Sequence, residues 1–439
     1  MKLNRFLLII VLATICGRSA AQRMLTLEEA IATALQNNYD IQLSRNDSMV
    51  AALDYSYRNT VFFPTLNGLM STTWNNNNQR QTLADNSKRE QKGIRSHNIA
   101  GSIQLDWVLF DGLRMFATRE KAEQLIHLGS YAIKRQMTNT VADVVTTYYD
   151  IVRQKQQVRA TDEQILLNEE RVKLAQYKLD IGTGIKPDVL QSKVDLNAQK
   201  ALKLEQLTLI DQLKERLNQA MNVRSDAQFE VTDSIPIDME LGLGDIRNKA
   251  ETGNPDLLIA QKNIDIAELT IKERKGDFFP VVSFNSAYNY SRTDNKTVIN
   301  PFSPLFNQSN GLNYGFTANI PIFNGFATRR LYRQAKLDLT YQQLVYENQR
   351  SLLNLNVITA FKNYELAKKS LALEEENIEL ARENVDIVRQ TYRLNAATLI
   401  QLREAQNSLE AASNRLIAAR YAAKVAETEL LRLRGDIIR

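Results

Sequence analysis

Residues 402–433 read LREAQNSLEAASNRLIAARYAAKVAETELLRL. Leu402, Ala405, Leu409, Ala412, Leu416, Ala419, Ala423, Ala426, Leu430 and Leu433 recur at alternating spacings of three and four. An apolar position every 3.5 residues draws one seam along a helix, and such a seam requires a partner helix in a left-handed supercoil. Alanine at half of the positions lets the two backbones approach closely. Glu404, Arg415, Arg420, Lys424, Glu427 and Arg432 lie between the seam positions and are expected to form a solvated face.

The partner is found in the chain itself, which is written twice. Ala34-Leu35-Gln36-Asn37-Asn38-Tyr39-Asp40-Ile41 reappears as Ala250-Glu251-Thr252-Gly253-Asn254-Pro255-Asp256-Leu257, and Phe62-Phe63-Pro64 as Phe278-Phe279-Pro280. Leu109-Phe110-Asp111-Gly112 matches Ile322-Phe323-Asn324-Gly325, and Tyr148-Tyr149-Asp150 lies opposite Phe361-Lys362-Asn363. Landmarks that repeat in order over this span indicate a tandem duplication, with halves near 22–240 and 241–439. Each half reads helix, strand, loop, strand, very long helix, turn, helix.

In the first half Thr26 caps a short helix, a strand hairpin spans about 64–110, and a long helix runs from Leu113 to Leu179. Residues 182–187, Gly-Thr-Gly-Ile-Lys-Pro, turn it back into Asp188–Met221, and 222–245 form a mixed connector. In the second half the hairpin spans about 280–323, and the long helix folds back near Asn395. No proline falls between Leu113 and Lys186 or after Pro321, as long helices require. Helices of about 70 residues reach about 100 Å, more than any compact globular domain needs. The 402–433 seam is therefore expected to pack on roughly Asn354–Asp386. The matching line in the first half holds Val189, Ser192 and Leu196, is broken by Gln199 and Lys203, and resumes at Ile210, Leu213 and Leu217.

The strands are amphipathic. Ile99, Ile103, Leu105, Trp107 and Leu109 share a face with Gly101, against Ser102, Gln104 and Asp106. Val282, Phe284, Tyr288 and Tyr290 oppose Ser283, Asn285 and Asn289; Leu312, Tyr314, Phe316, Ala318, Ile320 and Ile322 oppose Asn313, Thr317 and Asn319. The strand from about Pro64 to Asn75 carries Leu66, Met70 and Trp74. Strands of about ten residues with aromatic ends fit a transmembrane barrel, apolar outside and polar inside. Half-buried strands of a soluble sheet would alternate in the same way. The polar links 75–98 and 292–311, read as long outer loops, and the lack of any free helix face to cover the apolar side favour the barrel. Because no sheet edge survives in lipid, four strands per chain must be completed by copies. Two copies give eight strands, and three give twelve with a lumen, which the polar inner faces and long helices favour.

Lys2 and Arg5, the apolar run 6–15 and Ser19-Ala20-Ala21 read as a signal peptide over 1–21. The single cysteine, Cys16, lies inside it after Ile15, where lipidation would need a small residue. The mature chain thus has no thiol for disulfides or catalysis. Three of the 55 basic residues fall in the signal, leaving 52 against 50 acidic ones, so charge does not point to nucleic acid. His97 and His127 have no second ligand at metal spacing, and neither Gly242-Leu-Gly244 nor Gly182-Thr-Gly184 forms a phosphate loop. No catalytic constellation is present, and no cofactor is called for.

The two Ala-Leu-x-x-Asn-type openings, the paired Phe-Phe-Pro and Phe-Asp/Asn-Gly boundaries and the two helical hairpins resemble the TolC-like family of outer membrane efflux proteins. The turn at 182–190 resembles that family's Asp-Val-Leu turn, and 392–406 its second copy. The resemblance implies an α+β membrane protein of tandem helix-strand-strand-helix-helix units. Four strands per chain build a trimeric 12-stranded β-barrel, continued by a long α-helical coiled-coil barrel in the periplasm. It implies an outer membrane exit duct, passively conducting what a periplasmic adaptor and an inner-membrane pump of RND or ABC type deliver, with outer membrane lipid around the barrel. In the family an aspartate, a tyrosine and an arginine close the periplasmic entrance, and acidic residues ring it. Asp188 matches the aspartate, Tyr392 the tyrosine and Glu404 one acidic position. Ala397 stands where some members have the arginine, and Gln401 where they have another acid, with Arg393 or Lys186 as substitutes. The other reading is a soluble periplasmic coiled-coil adaptor or tether without a channel.

Overall fold

The computed structural model describes residues 23–225, 228–300, 302–394 and 396–437. The signal peptide expected at 1–21, with Cys16, and Asn395 of the second turn lie outside the described residues. The elements of the first half are β1 (Arg23–Met24), α1 (Leu27–Asn37), α2 (Tyr39–Ser56), a 3₁₀ turn (Arg58–Phe62), β2 (Thr65–Thr82), β3 (Lys88–Phe110), α3 (Arg114–Asp180) and α4 (Lys186–Met221). Then follow β4 (Phe229–Glu230), α5 (Leu243–Gly253), α6 (Pro255–Gly276), β5 (Val281–Asn295), β6 (Phe306–Asn319), α7 (Ala327–Arg393) and α8 (Leu399–Arg434). Helices α3 and α7 have 67 residues each and α4 and α8 have 36 each, so the two hairpins are equal in length.

Two compact units are formed, one from the described residues of 1–48, 129–259 and 346–439 and the other from 49–128 and 260–345. In the first, paired asparagines explain why the openings recur. Asn38 Oδ1 accepts from the N–H groups of Asp40 (3.0 Å) and Ile41 (3.3 Å), and its Nδ2 donates to the Ala220 carbonyl (2.8 Å). Asn254 does the same with Asp256 (3.0 Å), Leu257 (3.3 Å) and the Leu433 carbonyl (3.0 Å). Each asparagine satisfies otherwise orphaned N–H groups at a helix start and fastens that start to the end of its return helix. Tyr148 and Tyr364, 1% and 0% exposed, also act alike. Their hydroxyls donate to the carbonyls of Leu25 (2.9 Å) and Asp238 (2.6 Å). The residue that takes the part of Tyr148 is thus Tyr364, three positions beyond the Phe361 expected to match it.

The seam of α8 is buried at Leu402, Ala405, Ala412, Leu416, Ala423, Leu430 and Leu433. Its partner is α7, as the duplication predicts. Ala412 and Leu416 pack with Leu371 and Ile378. Farther along, Leu430 and Leu433 pack with Leu353, Val357, Ala360 and Tyr364.

The solvated face expected between the seam positions holds only in part. Glu427 is buried, 5% exposed. It pairs with Lys424 (2.9 Å) and accepts the backbone N–H of Asp238 (3.1 Å). The connector lies against α8 at this point, and its N–H needs an acceptor there.

In the second unit the sheet order is β2-β3-β5-β6, antiparallel throughout. The strands are longer than expected, at 18, 23, 15 and 14 residues. The expected loop 75–98 is mostly ladder, paired from Asn75↔Ser96 to Thr82↔Lys88. Polar side chains on both faces do not prevent strand pairing where water bathes both sides, and such a segment shows no alternation by which to recognise it. The turn itself is tight. Leu83 N–H donates to Ser87 O (2.9 Å), Asp85 Oδ1 accepts from the Ser87 N–H (2.9 Å), and Asn86 takes a φ of +65°. The other link shortens to 296–305. Strand β6 ends at Asn319 rather than Ile322, because Pro321 has no N–H to give the ladder.

Where β3 passes into α3, Gly112 and Leu113 both take left-handed φ values, +75° and +68°. Gly325 and Phe326 repeat this before α7, at +61° and +62°. A Cβ on Gly112 would lie 2.3 Å from the Gly276 carbonyl oxygen, whereas one on Gly325 would meet nothing within 4 Å.

Candidate functional site at the sheet and the helical turns

Register sorts the side chains of the sheet into two faces. One carries the rows Leu66–Leu105–Ser286–Tyr314 and Gly68–Ile103–Tyr288–Leu312, with Trp107–Phe284–Phe316 beside them. The other carries Thr65–Asp106–Asn285–Gly315 and Asn67–Gln104–Ala287–Asn313. Its polar groups bond across strands, with Asn285 Nδ2 to Asp106 Oδ1 at 2.6 Å and Asn289 Nδ2 to Asn313 Oδ1 at 3.1 Å. The apolar face is bare: Leu66, Met70, Trp74, Leu312, Tyr314 and Phe316 are each more than 60% exposed. From Leu66 to Trp74, at about 3.3 Å per residue and a tilt of about 40°, the apolar band is about 20 Å tall, close to the height of a barrel's lipid-facing belt. Above Trp74 both faces are polar. Among the described residues no helix is long and apolar enough to cross a membrane.

The second part of the site is the turn end of the hairpins, within the first unit. Pro187 occupies the first turn of α4, whose N-cap is Ile185, so Asp188 stands in the first turn without being the cap. A carboxylate there is favoured by the helix dipole. Tyr392, near the end of α7, is 4% exposed. Lys178, at the end of α3, donates to the Tyr392 carbonyl (3.0 Å) and places its ammonium 3.6 Å from the centre of the Tyr392 ring. Burial pushes the Tyr392 phenol above its ordinary value, and the Asp188 carboxylate pushes it the same way. Burial lowers the Lys178 ammonium, while Asp188 works against that fall. Asp188, Tyr392 and Lys178 therefore form one electrostatic cluster.

Among the other sequence candidates, Gln401 and Arg393 bond to other residues. Gln401 completes a capping box with Thr398: its N–H donates to Thr398 Oγ1 (3.2 Å) and its Oε1 accepts the Thr398 N–H (2.8 Å). Glu404 is exposed on α8. Arg393 pairs with Glu170 of α3, and Arg389 lies 3.7 Å from the same carboxylate. Lys186 is exposed. Sequence reasoning missed Glu170, Arg171 and Lys178. Thr161, Gln164, Asn168, Arg171 and Ala175 are all buried on α3, at spacings of three and four. The signal was a seam at coiled-coil spacing written mostly in polar residues. Among the described residues no cluster fit to hold a metal ion occurs.

A four-stranded sheet, apolar on one face and polar on the other, in one chain with two long helical hairpins, defines the subunit of an outer membrane channel. The model of the family "Outer membrane efflux protein" matches residues 30–223 and 246–436, and the chain belongs to that family. It is an outer membrane exit duct of the kind used by tripartite efflux and secretion systems, with its helical domain in the periplasm. The family is one of channels rather than enzymes. Outer membrane efflux protein BepC of Brucella suis is 22% identical over 421 residues, covering 93% of this chain and 85% of BepC. Cation efflux system protein CusC of Escherichia coli K12 is 24% identical over 422 residues, covering 91% and 84%. Among solved structures, CusC superposes with a TM-score of 0.76 at 17% identity, covering 93% of this chain and 92% of its own. VceC of Vibrio cholerae gives 0.77 at 14% identity, covering 93% and 96%.

Proposed function

We propose that three copies of this chain close a twelve-stranded barrel in outer membrane lipid, and that the turn end of the helices is its closable periplasmic entrance. The carrying observation is the sheet: bare and apolar on one face, with β2 and β6 each paired on one side only. Lipid tolerates no such edge, so the strands of further copies must complete the ladder. Helix α7 supports the trimer with a second apolar line. Leu366, Leu373, Leu380, Ile387 and, just past the helix end, Leu394 recur every seven residues, each more than half exposed, as a seam awaiting another helix requires. The duplication, with halves at 22–240 and 241–439, gives the trimer six quasi-equivalent hairpins. A periplasmic adaptor and an inner-membrane pump of RND or ABC type are its partners, and they select the cargo.

At the entrance, Asp188 and Tyr392 hold the hairpins together in the closed state, while Gln401 and Glu404 border the mouth. The support is the shared cluster of Asp188, Tyr392 and Lys178. The test is single-channel recording in planar bilayers. Wild-type protein forms a pore of low conductance, and Asp188→Ala and Tyr392→Ala each raise it. Unchanged conductance in both variants assigns these residues to capping and packing alone.

A further inference from the structure

Arg171 lies in the polar seam of α3 and is 3% exposed. Its Nη2 donates to Asp195 Oδ2 of α4 at 2.6 Å. Its Nη1 donates to Gln406 Oε1 of α8 at 2.9 Å, in a buried contact. Its Nε is buried without a hydrogen-bond partner. One guanidinium thus joins both hairpins while its own donors are incompletely satisfied.

The two partners differ in kind. Asp195 belongs to the same hairpin as Arg171, and its side chain is 24% exposed. Gln406 comes from the other hairpin and is 4% exposed. When the hairpins part, the Asp195 pair travels intact, the Gln406 bond breaks, and water reaches both Nη1 and the orphaned Nε. The closed state therefore holds a neutral-to-cation hydrogen bond against the desolvation of a cation, two effects of opposite sign at one atom group.

We propose that Arg171 is a positioning residue of the entrance, poised so that its bond to Gln406 closes the hairpins and its incomplete solvation drives them apart. This rests on the reading of the turn end as a closable entrance. The two effects separate by mutation. Gln406→Leu removes the bond and leaves the cation buried, which favours the open state. Arg171→Met combined with Gln406→Leu removes the bond, the buried cation and the buried amide together. Asp195 then has enough exposure to be hydrated, and the seam closes on apolar packing. A residue that served only to support the fold would loosen the closed state in both variants.

The experiment is potassium-chloride current through single channels of the detergent-purified full chain. Gln406→Leu raises the open-to-closed ratio about tenfold or more, the value of a lost hydrogen bond to a charged group. The Arg171→Met/Gln406→Leu double variant does not raise it, while Arg171→Met alone raises it, because it strands the buried Gln406 amide. Arg171→Lys keeps a buried charge but loses the two-pronged reach, so it opens as Gln406→Leu does and serves if the double variant fails to assemble. Opening by the double variant equal to that of Gln406→Leu, or no change in Gln406→Leu, overturns the proposal. Wild-type protein that conducts nothing would instead sink the duct reading, so the two failures are distinguishable.

Discussion

Gly112 and Gly325 occupy equivalent places before the two long helices and share left-handed φ values of +75° and +61°. Alanine at either site meets the same backbone penalty, about 1–2 kcal/mol for a residue with a Cβ in this region. Only at Gly112 is there a second cost. Its Cβ would stand 2.3 Å from the Gly276 oxygen and 2.9 Å from the Gly276 carbonyl carbon. Both are backbone atoms, so relief requires separating two chain segments, at about a further 1–3 kcal/mol. Gly112→Ala should thus cost about 2–5 kcal/mol and Gly325→Ala about 1–2 kcal/mol. Gly276→Ala, whose Cβ would meet Arg114 Cβ at 3.0 Å and two carbonyl oxygens at 3.2 Å, falls between them. The assay is the heat-modifiable, folded fraction in outer membranes, followed by its melting midpoint in detergent. Gly325→Ala assembles with a midpoint lowered by a few degrees, about 2–4 °C per kcal/mol at most in a chain of this size. Gly112→Ala melts well below it or does not assemble. Equal behaviour of the two variants would refute the close approach of the 112 and 276 backbones.

Asn38→Ala and Asn254→Ala each remove a helix cap and strand a carbonyl, at Ala220 or Leu433, for about 2–3 kcal/mol apiece. Hydrogen exchange at the Ile41 and Leu257 amides reads the loss directly, and unchanged protection would contradict it. Burial pushes the Tyr149 phenol up to about 12. A folded chain then keeps a proton that an unfolded chain releases near pH 10, so Tyr149 favours folding below pH 10 and that contribution is lost as pH rises toward 12. Absorbance of tyrosinate should show a late-titrating class that Tyr149→Phe diminishes without abolishing, since burial also raises Tyr364, Tyr392 and Tyr421; an unaltered curve would contradict the burial of the Tyr149 phenol.

The long helices, the duplication and the apolar seam of α8 were legible because burial there depends on spacing and apolarity, which sequence displays directly. Leu402, Ala405, Ala412 and Leu416 needed no partner's identity to be read. The strand extensions above Trp74 were not legible. Backbone pairing holds them, and their polar side chains carry no periodic signal. Glu427 misled for a related reason: it is buried where the connector, remote in sequence, delivers the Asp238 N–H to it. At the turns, Asp188 and Tyr392 were found by position, whereas Arg171 and Lys178 act through residues on other helices. Arg171 meets Gln406 across 235 residues of chain, and no local pattern announces such a contact.

The tight turn at 83–87 crowns a ribbon paired down to Asn75↔Ser96. Its side chains are mostly polar, and backbone hydrogen bonds rather than side-chain packing hold it. An epitope placed between Asp85 and Asn86 should leave the ladder below it paired, and antibody binding to the tag on whole cells, set against lysed cells, reads on which side of the membrane the ribbon lies.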